Sequence, residues 1–183
     1  MARALSVKNI YSQRFTTLQM EGAYQEPFGE PSDNGIWLIY GKEKNGKTTF
    51  ALQLARYLST KKKVLYVSAE EGVEMEFTRA CSRAGITEKD RNLNFIDYEP
   101  LEELKERISK KKSARIVFID NITIYKDELK GGALRALQRD YPNHLFVFIA
   151  HEDDTGGAPY TSSGKLCKKL AKIICHVEGM SAR

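Results

Sequence analysis

The sequence predicts an α/β fold: a mostly parallel central sheet with helices on both faces. Three observations carry the prediction. Runs such as GIWLIY (35–40), ARIVFID (114–120) and HLFVFIA (144–150) are apolar at nearly every position, as strands buried on both faces require. Stretches between them repeat their apolar residues at helical spacing. The two patterns alternate from residue 35 onward, with no internal repeat.

Taken in order, residues 1–34 show no period, and Pro27, Gly29 and Pro31 break them up. They read as an irregular lead-in, separate from a domain over residues 35–183. The first strand is 35–40. Lys47 to Ser59 then reads as a helix with Phe50, Leu54, Tyr57 and Leu58 on one side. A strand follows at 63–69, then a helix from Val73 to Ala84 that Gly85 stops. NLNFIDY (92–98) is a weaker strand. Pro100 opens a helix whose Leu101, Leu104 and Ile108 share a face. After the strand at 114–120, a helix is predicted from Asp127 to Tyr141, ended by Pro142. The strand at 144–150 leads into a polar, Gly-rich stretch, 151–164, that reads as a mobile loop. A short helix from Lys165 and a strand near 171–177 complete the order.

Composition narrows the classes. The chain has 183 residues, 42% hydrophobic and 29% charged, which fits one folded domain and excludes a disordered or collagenous chain. The net charge of +5 permits a phosphate-bearing partner without demanding one. No apolar run approaches the roughly 20 residues of a membrane helix, and residues 1–14 hold no apolar core of signal-peptide length. Cys81, Cys167 and Cys175 are odd in number and widely spaced, which points to a reducing, cytoplasmic setting.

The strongest chemical signal is Gly41-Lys42-Glu43-Lys44-Asn45-Gly46-Lys47-Thr48, which has the form GxxxxGK[ST] between a strand and a helix. Glycine lets the backbone curl so that its N–H groups converge on phosphate oxygens. The helix N-terminus adds unpaired donors and a positive dipole end. Lys47 is placed to reach the β- and γ-phosphates, and the Thr48 hydroxyl to ligate Mg²⁺. The nucleotide-binding set is therefore Gly41, Lys44, Asn45, Gly46, Lys47, Thr48 and Thr49. Asp120, at the C-terminal end of a strand, faces the crevice where ligands bind in such sheets and suits a magnesium-bound water. Capping of the next turn is its bland alternative. Asn121 stands where many ATPases carry a catalytic Glu. A base must then come from elsewhere, and Glu70 or Glu71, at the end of the 63–69 strand, is the candidate. Both also suit a helix first turn. Placement of that strand beside the first, or one place away, would bring Glu70 to the crevice.

With GKEKNGKTTFALQLA (41–55), VLYVSAEE (64–71), RIVFIDN (115–121) and FVFIAHE (146–152) in that order, the chain resembles the RecA-like P-loop ATPases. The branch concerned holds RadA, KaiC and the DnaB-type helicases, and the resemblance covers about residues 35–178. It implies Mg-dependent ATP hydrolysis, with Glu70 as catalytic base, Asp120 linked to the metal and His151 as γ-phosphate sensor, where relatives often have Gln. It also implies a homo-oligomer such as a hexamer, and DNA contact, with single strands favoured, through 121–132 and 152–164. A Lys or Arg supplied to the neighbouring subunit belongs to a hairpin beyond the last strand, where this chain has residues 178–183.

Glu152, Asp153 and Asp154 would repel a phosphate backbone. Lys165, Lys168, Lys169 and Lys172 form a stripe that could track one or simply be solvated. The runs Lys61–Lys63 and Lys110–Lys112 follow helices, where cations suit the dipole, and read as solvated. Two other functions stay open: a P-loop kinase of a small molecule, and a KaiC-like nucleotide-gated regulator without nucleic acid. A lid without Arg counts against the first; nothing separates the second from a DNA-acting ATPase. No NKxD tetrapeptide occurs, which disfavours a GTPase.

Overall fold

The computed structural model describes residues 4–179 and 181–182. Residues 1–3, 180 and 183, where the predicted lead-in begins and the predicted domain ends, lie outside the described residues. The chain divides into two compact units, Met1–Asp33 and Asn34–Arg183.

The first unit is made of short turns rather than wholly irregular chain. Helix α1 (Val7–Tyr11) starts at Ser6, whose hydroxyl accepts from the Asn9 N–H. A single 3-10 turn (Gly22–Tyr24) runs into α2 (Gln25–Phe28). An antiparallel bridge between Thr17 and Ser32 closes the unit, and the Thr16 hydroxyl donates to Asp33 Oδ1 at 2.6 Å.

The second unit is a seven-stranded sheet flanked by helices. Its strands are β1 (Gly35–Gly41), β2 (Val64–Ser68), β3 (Leu93–Asp97), β4 (Ile116–Asp120), β5 (Leu145–His151), β6 (Ile173–Glu178) and β7 (Ser181–Ala182). They lie in the order β3-β2-β4-β5-β1-β6-β7. All neighbours are parallel except β6 and β7. The helices are α3 (Lys47–Ser59), α4 (Met75–Arg83), α5 (Leu101–Ser109), α6 (Ala133–Asp140) and α7 (Ser162–Leu170).

Strand position explains the sequence pattern. β1, β2 and β4 are buried at every residue, whereas β3 and β6, nearer the edges, are partly exposed. Leu65, Val67, Val117, Ile119, Phe146 and Phe148 form one core layer with Leu104 of α5 and Leu137 of α6. Each such buried side chain contributes about 1.5–3 kcal/mol through surface removed from water. On α3 the buried apolar residues are Ala51, Leu52, Leu54, Ala55 and Leu58. Phe50 and Tyr57, predicted for that face, are only half-buried.

Two predicted elements change. Residues 121–132 form turns, so α6 starts at Ala133, not Asp127. Gly131 and Gly132 hold φ of 60° and 88°, a left-handed pair that a right-handed helix cannot absorb. Nor is this segment a free loop, since Ile122, Tyr125 and Leu129 are buried in the core. The 152–164 stretch is tied down as well. Glu152 bridges Pro159 in antiparallel fashion, and the Tyr160 N–H donates to the His151 carbonyl at 2.8 Å.

Candidate functional site

The C-terminal ends of β1, β2, β4 and β5 open onto a cleft of about 500 Å³. Lys44, Gly46, Lys47, Thr48, Thr49, Glu70, Asp120 and His151 all line it. The loop between β1 and α3 turns through Lys44 (φ 58°) and Gly46 (φ 89°), both left-handed, and Gly46 caps α3. Gly41 serves a different need. A Cβ there would lie 2.1 Å from the Val177 carbonyl oxygen, so glycine lets β1 pass β6 at the mouth of the loop. Lys47 is buried at 6% exposure and donates to the Lys42 carbonyl at 2.7 Å, which folds its ammonium back over the loop. Burial lowers its pKa, opposed by the nearby charges of Asp120, Glu70, Glu43 and Glu152.

Asp120 sits at the floor. Its Oδ2 accepts from the Thr48 hydroxyl at 3.1 Å and from the Tyr66 phenol at 2.7 Å. Burial raises its pKa to about 6, against the lowering effect of those two bonds; Glu70 and Glu71 push it up further. Tyr66 is wholly buried, stacked on Phe118 at 5.6 Å between centroids. The Asp120–Asn121 peptide is cis.

Glu70 faces the same cleft as Asp120, although β2 is not where the sequence placed it. β2 lies beside β4, so two strands, β4 and β5, separate it from β1. The parallel register Ser68↔Asp120 brings the two ends level. The Ala69 N–H then donates to the Asp120 carbonyl at 2.6 Å, and the Glu70 N–H to the same oxygen at 3.1 Å. The Glu70 carboxylate bonds His151 Nε2 at 3.1 Å and accepts from the Asn121 amide. The His151 bond, with its charge, the Asn121 amide and Lys47, holds the Glu70 pKa below its ordinary value despite burial. Glu71 lines the cleft beside it.

Other contacts were not foreseen. Glu152, expected to repel phosphate at the surface, has a side chain only 4% exposed; it pairs with His176 at 3.0 Å and accepts from the Gly157 N–H. His176 stacks on Tyr40 at 4.6 Å. Lys168 lies 4.3 Å from the Tyr40 ring centroid and donates to the Tyr40 hydroxyl at 2.8 Å and the Gly157 carbonyl at 2.6 Å. The lysine stripe is therefore largely engaged: Lys165 faces Asp153 at 3.9 Å, and Lys172, beyond the end of α7, donates to Asn34 at 2.6 Å. Arg83, the last residue of α4, also lines the cleft. Tyr66 and Arg83 carry no local sequence signal for the site, because each meets it only through tertiary placement.

A P-loop between β1 and α3, a carboxylate at the end of β4 and this strand order define a RecA-like fold. No family model matches the chain. Over 98 residues it is 34% identical to the DNA repair protein RadA of Aquifex aeolicus, covering 54% of this chain and 21% of the relative. The chain thus spans about a fifth of that protein's length. Among solved structures it is similar to the flagellar accessory protein FlaH of Methanocaldococcus jannaschii, with a TM-score of 0.64 at 14% identity over 92% of this chain and 84% of the other. A KaiC-like protein of Pyrococcus horikoshii gives 0.60 at 18% identity, over 84% and 77%.

Proposed function

We propose that the chain binds Mg-ATP in this cleft, hydrolyses it, and acts on DNA in repair, recombination or replication. The observation that supports the reading best is the convergence of Lys47, Thr48, Asp120 and Glu70 on one cleft although they come from three separate segments. The donor set fits magnesium: the Thr48 hydroxyl and the Asp120 carboxylate, 3.1 Å apart, are hard oxygen ligands. Magnesium favours one or two such protein ligands, together with water and phosphate oxygens. Thr48 would hold the ion and Asp120 a water on it, and the ion would neutralise charge on the phosphates.

This chain's residues would do the rest. The first-turn N–H groups of α3, which lack partners four residues back, bind phosphate oxygens. Lys47 exchanges the Lys42 carbonyl for the β- and γ-phosphates. Glu70 accepts the proton of the attacking water, and His151 donates to the γ-phosphate. Glu70, held low by His151 and Asn121, is a weak base at rest. If His151 turns to the γ-phosphate, Glu70 loses a partner and becomes more basic, so base and sensor act together. A homo-oligomer in the cytoplasm completes the reading, and likeness to a DNA repair protein supports its DNA part. The engagement of Lys168 on α7 and of Lys172 beyond it favours a second reading, a nucleotide-gated regulator without nucleic acid.

The test is turnover in two variants. Lys47→Ala is expected to abolish ATP binding, and Glu70→Gln to keep it while lowering hydrolysis at least about a hundredfold, the scale of a missing general base. Undiminished turnover in Glu70→Gln, with loss in Glu71→Gln, assigns the base to Glu71 instead.

A further inference from the structure

Two lysine runs that the cleft does not use meet at the opposite edge of the sheet. Lys61–Lys63 follow α3 into β2, and Lys110–Lys112 lie between α5 and β4. β2 and β4 are parallel neighbours with Val64 level with Ile116, so their N-terminal ends place the runs side by side. The Lys63 ammonium donates to the Lys112 carbonyl at 3.2 Å, and the Arg115 N–H to the Lys63 carbonyl at 3.2 Å. The cleft lies at the other end of these five-residue strands, about 16 Å away at the usual rise.

A groove of about 420 Å³ runs between the runs, rimmed by Lys63, Arg107, Lys110, Lys111 and Lys112. No acid occurs from Arg107 to Arg115 or from Thr60 to Tyr66. Arg107 is paired with Glu99 at 2.6 Å. Among the described residues, Lys63, Lys110, Lys111 and Lys112 are in no ion pair, and all four are exposed. Lys112 has a φ of 66°. Glycine or asparagine suits that left-handed position better, so the backbone gives no reason for lysine there. The groove floor is partly apolar: Leu65 is 6% exposed and Ile108 2%, Phe95 and Ile96 are half-buried, and the exposed side chains on the rim are the lysines and Arg107.

We propose that this basic edge binds the phosphate backbone of nucleic acid, at the end of the sheet opposite the ATP cleft. The inference rests on the nucleic-acid part of the proposed function and moves the binding surface away from α7 and the 152–164 segment. Clustered like charges repel, and a polyanion relieves that repulsion by releasing its counterions. Exposed lysines of this kind suit sequence-independent binding of phosphates.

The test is fluorescence anisotropy with a labelled single-stranded oligothymidine, repeated with a duplex, over a series of salt concentrations. Replacing Lys63, Lys110, Lys111 and Lys112 together by Gln is expected to weaken binding at least about tenfold at low salt. It should also flatten the log–log salt slope by about 0.7 for each single-strand phosphate that the variant no longer neutralises. The matching Arg replacement should retain binding, and Lys165→Gln with Lys169→Gln should leave it unchanged. Unaltered affinity in the fourfold Gln variant overturns the proposal, as does displacement of the oligonucleotide by polyglutamate at equal charge. ATP titration of the same preparations separates the two readings. Wild type that binds ATP but neither strand form removes this surface and leaves the nucleotide site standing.

Discussion

Asp120 places a carboxylate at the buried floor of the cleft, within the field of Glu70 and Glu71. Its folded pKa of about 6 stands above the ordinary 3.8. Between those values the folded state binds more protons than the unfolded one, so this residue's contribution to stability falls as pH rises through the window and stays absent above it. The shift corresponds to roughly 2–3 kcal/mol. Asp120→Asn should therefore melt no lower than wild type at pH 7 in the absence of nucleotide, and should lose the pH dependence between 3.8 and about 6. Thermal unfolding across that range checks it, and a sharply lower melting temperature in the Asn variant contradicts it. The proposed magnesium binding would have the opposite sign, because it needs the ionised carboxylate and would weaken below about pH 6. Residues at this scale were legible where covalent spacing carries the chemistry. Lys47 and Thr48 follow from an eight-residue pattern. Tyr66 does not: its bond to Asp120 spans 54 positions, and nothing near Tyr66 in the sequence marks it as a donor to an acid.

At the scale of elements, Gly41 joins two strands. The sequence offers it as the first glycine of the phosphate loop, whereas the structure shows its lack of a Cβ to be what admits the Val177 carbonyl. Gly41→Ala must push β1 and β6 apart and is expected to destabilise the fold by about 1–3 kcal/mol or more. Chemical denaturation measures this, and an unchanged midpoint would show that the strands can separate at no cost. Element boundaries were legible where burial is uniform. Fully buried β1 and the helix at Lys47–Ser59 stand out as an apolar run and a periodic segment. The start of α6 was not, because Tyr125 and Leu129 keep helical spacing with each other, as do Leu134 and Leu137, while the chain between the two pairs turns through Gly131 and Gly132. The burial of Tyr125 and Leu129 comes from packing in turns, which imitates a helical period.

For the whole molecule, the α/β class was legible, but strand order was not. No local pattern places β2 beyond β4 and β5, and that order decides how Glu70 reaches the cleft. The same parallel order sends strand C-termini to the nucleotide side and the lysine-rich N-termini of β2 and β4 to the other. Every proposed activity depends on the nucleotide side. Its most direct test is calorimetric titration of wild type with a non-hydrolysable ATP analogue, with and without Mg²⁺ at constant ionic strength. Saturable binding at one site per chain, tightened at least about tenfold by Mg²⁺, is the predicted result, since Thr48 would hold the ion and the ion would neutralise phosphate charge. No binding, or binding indifferent to Mg²⁺, would contradict it.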